Sequence, residues 1–189
     1  FQELNTIDPP LAIDSNSGVV INNVYEGLYR LGEGNTPVPA GALALPEISA
    51  DGLTYTVKLN PAAKWSDGDQ VLAGDYVFAW RRAVGLDNAS ENQKYFGALT
   101  NANEIIQGSK TADQLGVTAV DDTTLRFTLT TPVSYFASLL AAVPFFPLDQ
   151  DYVEKQGKAF ATDSEHAVFN GPFTLSGFTG PGLGSGWAY

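Results

Sequence analysis

The side chains with the clearest capacity for chemistry in this sequence are carboxylates, because they occur in two close pairs. Asp67 and Asp69 flank Gly68, and Asp121 is followed directly by Asp122. Two carboxylates that reach one substrate can act as acid and base in hydrolysis. Asp and Gly also favour tight turns, and turn formation explains both pairs better. A carboxylate-dependent hydrolase using Asp67 and Asp69 therefore stays as an alternative behind the turn interpretation.

Other catalytic and metal-binding patterns are incomplete. His166 is the only histidine and cysteine is absent, so neither a histidine pair nor thiolates can hold zinc. The segment 65–69 begins like a calcium loop but lacks the Asp-x-Asp-x-Asp-Gly order and the closing glutamate. The glycine-rich stretch 180–186 lacks the other parts of a phosphate-binding loop. We predict no catalytic residue, no metal site and no cofactor, and hence no enzyme.

Charge and composition exclude several classes of partner. The 189 residues carry 21 acidic and 10 basic side chains, a net charge of −11, which disfavours nucleic acid and anionic membranes. Arg81 and Arg82 form the only adjacent basic pair, which we interpret as a solvated helix face without a role. No apolar run approaches membrane-spanning length and no signal segment opens the chain. Either the protein is cytosolic or an export segment has been removed.

Patterning predicts an α+β chain. The prolines after Asp8 favour a short strand that ends there, and capping residues at 14–17 precede a helix over 17–30. Clean alternation over 53–59 predicts a strand, and helical spacing over 73–84 ends at Gly85. The further expected elements are a connector at 32–46, one or two short helices in 91–107, a hairpin of 117–120 with 125–129, helices after Pro132 and at 149–156, and a strand at 173–178.

Three motifs resemble a known family. Residues 63–80 contain Lys-Trp-Ser-Asp-Gly, a short spacer and Asp-Tyr at a helix start. Ile7-Asp8-Pro9 is followed at a fixed distance by Val-Tyr-Glu-Gly-Leu at 24–28, and Asn-Gly-Pro-Phe stands at 170–173. The order and spacing are similar to those of the oligopeptide and dipeptide group of ABC-importer solute-binding proteins, family 5. The resemblance covers nearly the whole chain.

The resemblance implies a fold that this chain only begins. It implies a two-lobe, periplasmic-binding-protein-like class II fold of mixed α/β structure. Residues 1–35 would open lobe one, residues 36–167 would form the extra α+β subdomain of the peptide-binding group, and residues 168–189 would return to lobe one. The second lobe would follow, so the resemblance implies a truncated chain that binds peptide weakly or not at all. We take Trp65 and Asp67 as scaffold markers outside the ligand pocket.

The resemblance also implies a function and a site. The function is capture of extracellular oligopeptides for ABC permease subunits, by a monomer that is a cell-surface lipoprotein or periplasmic. Peptide would be held through its backbone by the loop Ile13, Asp14, Ser15 and Asn16, with Asn92 nearby and with Val143, Pro144 and Phe145 as a weaker candidate wall. Helix capping is the favoured explanation of Asp14 to Asn16, and the two roles can hold together. A nickel chelate, an oligosaccharide or a signalling peptide as cargo, or a structural or adhesive module, remain alternatives.

Overall fold

The computed structural model describes residues 4–85 and 90–180, and these combine short helices with antiparallel strands. The α+β expectation is confirmed. The strands are β1 Tyr29–Leu31, β2 Pro37–Pro39, β3 Glu47–Ile48, β4 Thr54–Lys58, β5 Val117–Asp121 and β6 Thr124–Thr128. The helices are α1 Ser15–Val24, α2 Ala73–Val84, α3 Ala102–Ile106, α4 Phe136–Leu139 and α5 Gln150–Gln156, with 3-10 turns that include Pro9–Leu11, Glu91–Phe96 and Val143–Phe145.

A four-stranded antiparallel sheet in the order β3-β4-β6-β5 forms one layer. Tyr55 of β4 lies opposite Phe127 of β6, and their rings stack at 5.2 Å. Alternate residues of β4 are buried, as its period-two pattern predicts. The β5–β6 hairpin confirms the prediction made from the turn at Asp121 and Asp122. Helix α2 packs on the apolar face of this hairpin.

Helix α2 covers this apolar face, and its bounds, Ala73–Val84, match the prediction from helical spacing. Trp80 is fully buried against Phe127 and Phe145, and its Nε1 donates to the Phe145 carbonyl at 2.9 Å. Asp75 in the first turn accepts hydrogen bonds from the Leu72 backbone N–H at 2.8 Å and from Trp65 Nε1 at 3.1 Å. The tryptophan-to-aspartate motif therefore fixes the start of α2, which agrees with its interpretation as a scaffold marker.

The amino-terminal segment is attached to α2 by a buried ion pair. Arg82 donates to both carboxylate oxygens of Asp8, at 3.0 and 2.7 Å, and its guanidinium lies 5.7 Å from the Phe160 ring. The Asp8 side chain is almost fully buried. Our interpretation of Arg82 as a solvated residue without a role is therefore wrong. Helical spacing places Arg82 on the polar face, but it cannot show that an acidic residue 74 positions earlier packs there.

Two of the three resemblance motifs meet in space. The Asn170 side chain accepts from the Glu26 N–H at 3.0 Å and donates to the Glu26 carbonyl at 2.8 Å. The next residue, Gly171, donates its N–H to the Val24 carbonyl at 2.9 Å. The side-chain amide thus pairs with a backbone peptide group as a neighbouring strand would. This contact holds the segment after residue 168 against the end of α1.

Four element predictions need correction. Helix α1 ends at Val24 instead of continuing to 30, because the following residues pair with Asn170 and then enter β1. Residues 4–8 and 173–178 lie in no strand of the described structure, since no other described strand runs beside them. The helix expected after Pro132 begins only at Phe136. Of the glycine-rich stretch 180–186, only Gly180 lies within the described residues.

The core is continuous from Leu4 to Phe178 across the described residues. Strands β1 and β2 pair across residue 36, where we predict the division between lobe one and the subdomain. None of the described helices is long and apolar enough to cross a membrane.

Candidate functional site

Six of the eight predicted site residues line one groove with a volume of about 300 Å³. The groove has three walls, which come from distant parts of the chain. They are the loop before α1, the 3-10 turn at 91–96, and the 3-10 turn at 143–145. The turn at 143–145 packs against the turn at 9–11, which brings the walls together. We call this the candidate groove. The predicted residues in it are Ile13, Asp14, Ser15, Asn92, Val143 and Pro144.

Asn92 fixes the position of the loop before α1. Its side-chain Nδ2 donates to the Pro10 carbonyl at 3.1 Å and to the Ala12 carbonyl at 2.9 Å, and the residue is buried. The Ser90 hydroxyl also donates to the Pro10 carbonyl, at 2.8 Å. Both N–H groups of the Asn92 amide are therefore engaged by the loop. The residue holds the backbone of the groove in place.

Asp14 caps α1 and carries charge into the candidate groove. Its Oδ1 accepts from the Ser17 N–H at 2.9 Å, so the capping interpretation of the sequence is confirmed. Burial acts to raise the pKa of Asp14, but hydrogen bonds from Ser17 and the nearby Asn5 amide outweigh it and lower that pKa. The carboxyl is therefore ionised at neutral pH. Ser15 is exposed in the first turn of α1.

The backbone between the two anchors is extended and open. Ala12 has φ −74° and ψ 103°, and Asp14 has φ −102° and ψ 154°, both in the β region. Within the described residues, no hydrogen bond reaches the N–H or the carbonyl of Ile13. The Ile13 side chain is 65% exposed. The groove is thus lined by strand-like backbone in which the N–H and the carbonyl of Ile13 have no protein partner in the described structure.

Residues that sequence reasoning missed form a further part of the groove lining. Glu91, Lys94 and Tyr95 line the candidate groove beside Asn92. Lys94 Nζ lies 4.0 Å from a Glu91 carboxylate oxygen and 5.7 Å from the Tyr95 ring centre. The sequence carries no signal for them, because 91–107 predicts only short helices. Their proximity to the loop follows from long-range packing.

Two predicted residues lie outside the lining. Asn16 is half-buried in the first turn of α1, next to the loop. Phe145 is fully buried, with its ring centre 4.5 Å from Phe96 and 5.3 Å from Trp80. Its ring belongs to the core behind the wall made by Val143 and Pro144.

The acidic pair Asp67 and Asp69 forms a turn, and the carboxylate of Asp149 lies close to it. The Asp69 N–H donates to Asp67 Oδ1 at 3.2 Å, as the turn interpretation predicts. Carboxylate oxygens of Asp67, Asp69 and Asp149 lie within 4.8 Å of one another. Asp149 caps α5 through the Tyr152 N–H at 2.8 Å. Its approach has no sequence signal, because 80 residues separate it from the turn.

His166 has a structural environment. Its Nδ1 lies 2.7 and 2.9 Å from the two Asp163 oxygens, and the same carboxylate accepts the backbone N–H groups of Glu165 and His166. His166 does not line the candidate groove. Among the described residues, His166 is not part of the group of side chains at the Asp67 and Asp69 turn.

Comparison with protein families gives one match to most of the chain. Residues 36–181 match the model of bacterial extracellular solute-binding proteins, family 5. Among curated proteins, the dipeptide-binding protein of Lactococcus lactis is 41% identical over 171 residues. The match covers 90% of this chain and 31% of that protein. The chain therefore spans about a third of the length of this curated relative.

Solved structures give the same result in three dimensions. OppA of Listeria monocytogenes bound to peptide superimposes with a TM-score of 0.92 at 42% identity, over 96% of this chain and 36% of that one. The pheromone receptor PrgZ, solved for its mode of peptide binding, gives a TM-score of 0.93 at 38% identity over the same shares. At these identities the similarity extends beyond fold to the residues that build it.

Proposed function

The chain belongs to the bacterial extracellular solute-binding proteins of family 5, and from that membership we propose that it serves to capture extracellular oligopeptides for an ABC importer. The listerial relative is described as bound to peptide and the lactococcal one as dipeptide-binding. Within this proposal the protein carries out binding without covalent chemistry. The candidate groove is its peptide-contacting surface.

One observation carries the proposal: the extended loop backbone in the candidate groove is open. Every peptide presents the same N–H and C=O groups, so an extended ligand can pair with the Ile13 backbone as an added strand would. Recognition through the backbone tolerates varied side chains, which suits a transporter of mixed peptides. The anchors at Asn92 and Asp14 hold this strand-like segment before ligand arrives, and this lowers the ordering cost of binding.

The site residues have distinct roles in this proposal. Ile13, Asp14 and Ser15 face the peptide along the loop, and Asn16 supports them from the first turn of α1. Asn92 positions the loop through its two carbonyl contacts. Val143 and Pro144 form the facing wall, and Phe145 fixes that wall to the core.

The larger assembly follows from the same family membership. Residues 1–35 and 168–189 would belong to lobe one and residues 36–167 to the extra subdomain, with a second lobe closing over the peptide. The partners would be permease subunits in the membrane, and the protein would act as a monomer outside the cytoplasm, lipid-anchored or periplasmic. Nucleic acid is not a partner in this proposal, since the net charge is −11.

Peptide titration calorimetry tests the proposal. We expect the full reading frame that carries this chain to bind unlabelled tri- to pentapeptides, and the 189 residues alone to bind them weakly, because only one side of the peptide is covered. Nickel chelates, disaccharides and a signalling peptide serve as competing cargoes. Tight binding of any of these with no peptide binding would overturn the proposal. Sub-micromolar peptide binding by the 189 residues alone would contradict the role of a second lobe.

A proline replacement tests the open backbone. Ile13→Pro removes the Ile13 N–H, and the extended Ala12 accepts a following proline. We expect peptide affinity to fall about tenfold, in line with one lost hydrogen bond in a desolvated site. The melting temperature should stay close to that of the parent, which shows that the fold survives. Unchanged affinity in a folded Ile13→Pro protein would remove the backbone-pairing role.

A further inference from the structure

We propose that Ile13 makes the site selective, favouring peptides with an apolar side chain at the residue paired opposite it over peptides with an acidic side chain there. The proposal rests on the peptide-binding function proposed above. It concerns one position of the ligand and leaves the other positions free to vary. The relevant features are the exposure of Ile13, the rigidity of its loop, and the charges beside it.

Ile13 is an exposed aliphatic side chain, whereas the neighbouring isoleucines in the sequence are buried. Its 65% exposed fraction compares with complete or near-complete burial of Ile7 and Ile21 on either side. Single exposed apolar residues are normal on protein surfaces. Ile13 differs from such residues because it lines a groove together with the half-buried Tyr95 and Val143. Burial of these surfaces by ligand would be favourable.

The loop that carries Ile13 is held at both ends. Asn92 engages the Ala12 carbonyl on one side, and the Asp14 cap fixes the start of α1 on the other. The Ala12 N–H also donates to the Pro9 carbonyl at 3.3 Å. An anchored side chain meets its ligand without losing backbone freedom. Its position relative to a paired strand is therefore defined.

Strand pairing sets the partner of Ile13. When an extended peptide pairs with the Ile13 backbone, one ligand side chain lies directly across from Ile13 at about 5 Å between Cβ atoms. Pairs of β-branched with aromatic or aliphatic side chains stabilise such contacts. Selectivity should therefore appear at a single ligand position.

The charges around the groove disfavour an acidic ligand side chain. Asp14 is ionised, and Glu91 also lines the candidate groove. Lys94 also lines the groove, but it pairs with Glu91 at 4.0 Å. One uncompensated negative charge remains beside Ile13. Like charges repel, so aspartate in the ligand is rejected more strongly than alanine is.

A host–guest peptide scan tests the proposal on the full reading frame. Leucine, alanine and aspartate are placed in turn at each position of an alanine-based pentapeptide, and dissociation constants are measured by calorimetry. We expect one position at which leucine binds about three- to fivefold more tightly than alanine, the range of a cross-strand pair. Aspartate should bind more weakly than alanine at that position.

Two variants and one control connect this preference to Ile13. Ile13→Ser should reduce the leucine preference at that position below about 1.5-fold, because the cross-strand partner is lost. Ile13→Lys should make aspartate the favoured guest there. Val19→Ser is the matched control, since Val19 is 63% exposed on α1 and lies outside the candidate groove. The control should keep the parent preference.

The outcomes separate this inference from the proposed function. Peptide binding with no position that responds to Ile13→Ser and Ile13→Lys would overturn the selectivity and leave the function standing. An equal loss of affinity for all guests would also overturn it, because Ile13 would then act on the backbone alone. Failure of every peptide to bind would overturn both. Thermal melting confirms folding, which the exposure of Ile13 leads us to expect for both variants.

Discussion

Two neighbouring amides, Asn92 and Gln93, perform similar chemistry in different places. Asn92 donates to the carbonyls of Pro10 and Ala12 in the loop of the candidate groove. Gln93 donates to the carbonyls of Ala83 at 3.3 Å and Val84 at 3.1 Å, at the end of α2. Both side chains are buried. The pair therefore separates the effect of losing a buried amide from the effect of releasing the loop.

We predict that Asn92→Ala lowers both stability and peptide affinity, whereas Gln93→Ala lowers mainly stability. Asn92→Ala removes the donor of the Ala12 carbonyl, whereas the Pro10 carbonyl keeps the Ser90 hydroxyl. Gln93→Ala removes the side-chain donor of the Ala83 and Val84 carbonyls, and we expect each change to cost about 1–3 kcal/mol. Only Asn92→Ala frees the loop that is proposed to pair with peptide. Urea unfolding and calorimetry on the full reading frame measure the two quantities. Equal affinity losses in the two variants would show that Asn92 does not position the site.

The Asp75 carboxyl predicts an unusual pH dependence of stability. Burial, and to a smaller extent the nearby Asp149, raises its pKa to about 6 against opposing hydrogen bonds from Leu72 and Trp65. The folded protein thus binds this proton more tightly than the unfolded chain, whose value is 3.8. The stabilising contribution is complete below the unfolded pKa and is lost as pH rises through about 6.

We therefore expect the melting temperature to rise by about 2–4 °C from pH 7.5 to pH 5, for about 1 kcal/mol of linkage. Asp75→Asn should remove most of this rise. Asp51→Asn is the control, because hydrogen bonds from Ser49 and Leu53 lower the pKa of the exposed Asp51 and its titration falls below this range. A parent melting temperature that falls over the same interval would contradict the prediction.

At the scale of elements, the packing of the segment after residue 168 against the end of α1 depends on one glycine. A Cβ on Gly171 would lie 2.6 Å from the Val24 carbonyl carbon and 2.7 Å from the Tyr25 nitrogen, both backbone atoms. We predict that Gly171→Ala costs about 1–3 kcal/mol through overpacking. Gly74→Ala is the control, since nothing lies within 4 Å of its Cβ. That helical change should stabilise by about 0.5–1 kcal/mol in chemical denaturation. A neutral Gly171→Ala would exclude the close approach.

Elements were predictable where local pattern and tertiary packing agree. Helix α2 has apolar spacing, an acidic first turn and Gly85 at its end, so its bounds follow from the sequence. The expected helix over 17–30 fails because Asn170, far along the chain, pairs with Glu26 and directs the backbone into β1. The predicted strand at 173–178 fails because alternation cannot supply a neighbouring strand. Local pattern gives the periodicity of a segment but not its partners.

The candidate groove illustrates the same limit for function. Capping by Asp14 could be derived from residue types, but its place in a groove came only through family resemblance. Asn92 has no local signal at all, and its role depends on carbonyls 80 or more residues away. Phe145 was placed in the wall by the same resemblance and lies in the core behind it. Sites assembled from distant segments are invisible to spacing arguments.

At the scale of the whole molecule, one ion pair connects the groove loop to the sheet and helix layers. Arg82 of α2 holds Asp8, which directly precedes the turn at 9–11 beneath the loop. The Asp8 side chain is 5% exposed and the Arg82 side chain 24%. The two charges are therefore largely removed from water, and each depends on the other. Loss of one leaves a buried charge without compensation.

We predict that Arg82→Ala destabilises the protein by about 3–5 kcal/mol, the cost of breaking a buried ion pair from one side. Arg81→Ala is the adjacent control, since Arg81 has no carboxylate oxygen within 4.0 Å among the described residues and donates to the Val117 carbonyl at 3.5 Å, and it should cost less than half as much. The double variant Asp8→Ala with Arg82→Ala should recover part of the loss, because neither charge is then left alone. Chemical denaturation of the parent, the single variants Asp8→Ala and Arg82→Ala, and the double variant measures the coupling. If the Asp8 and Arg82 losses simply add, the ion pair contributes nothing, and the loop must be held by Asn92 and the packing of the turn at 143–145.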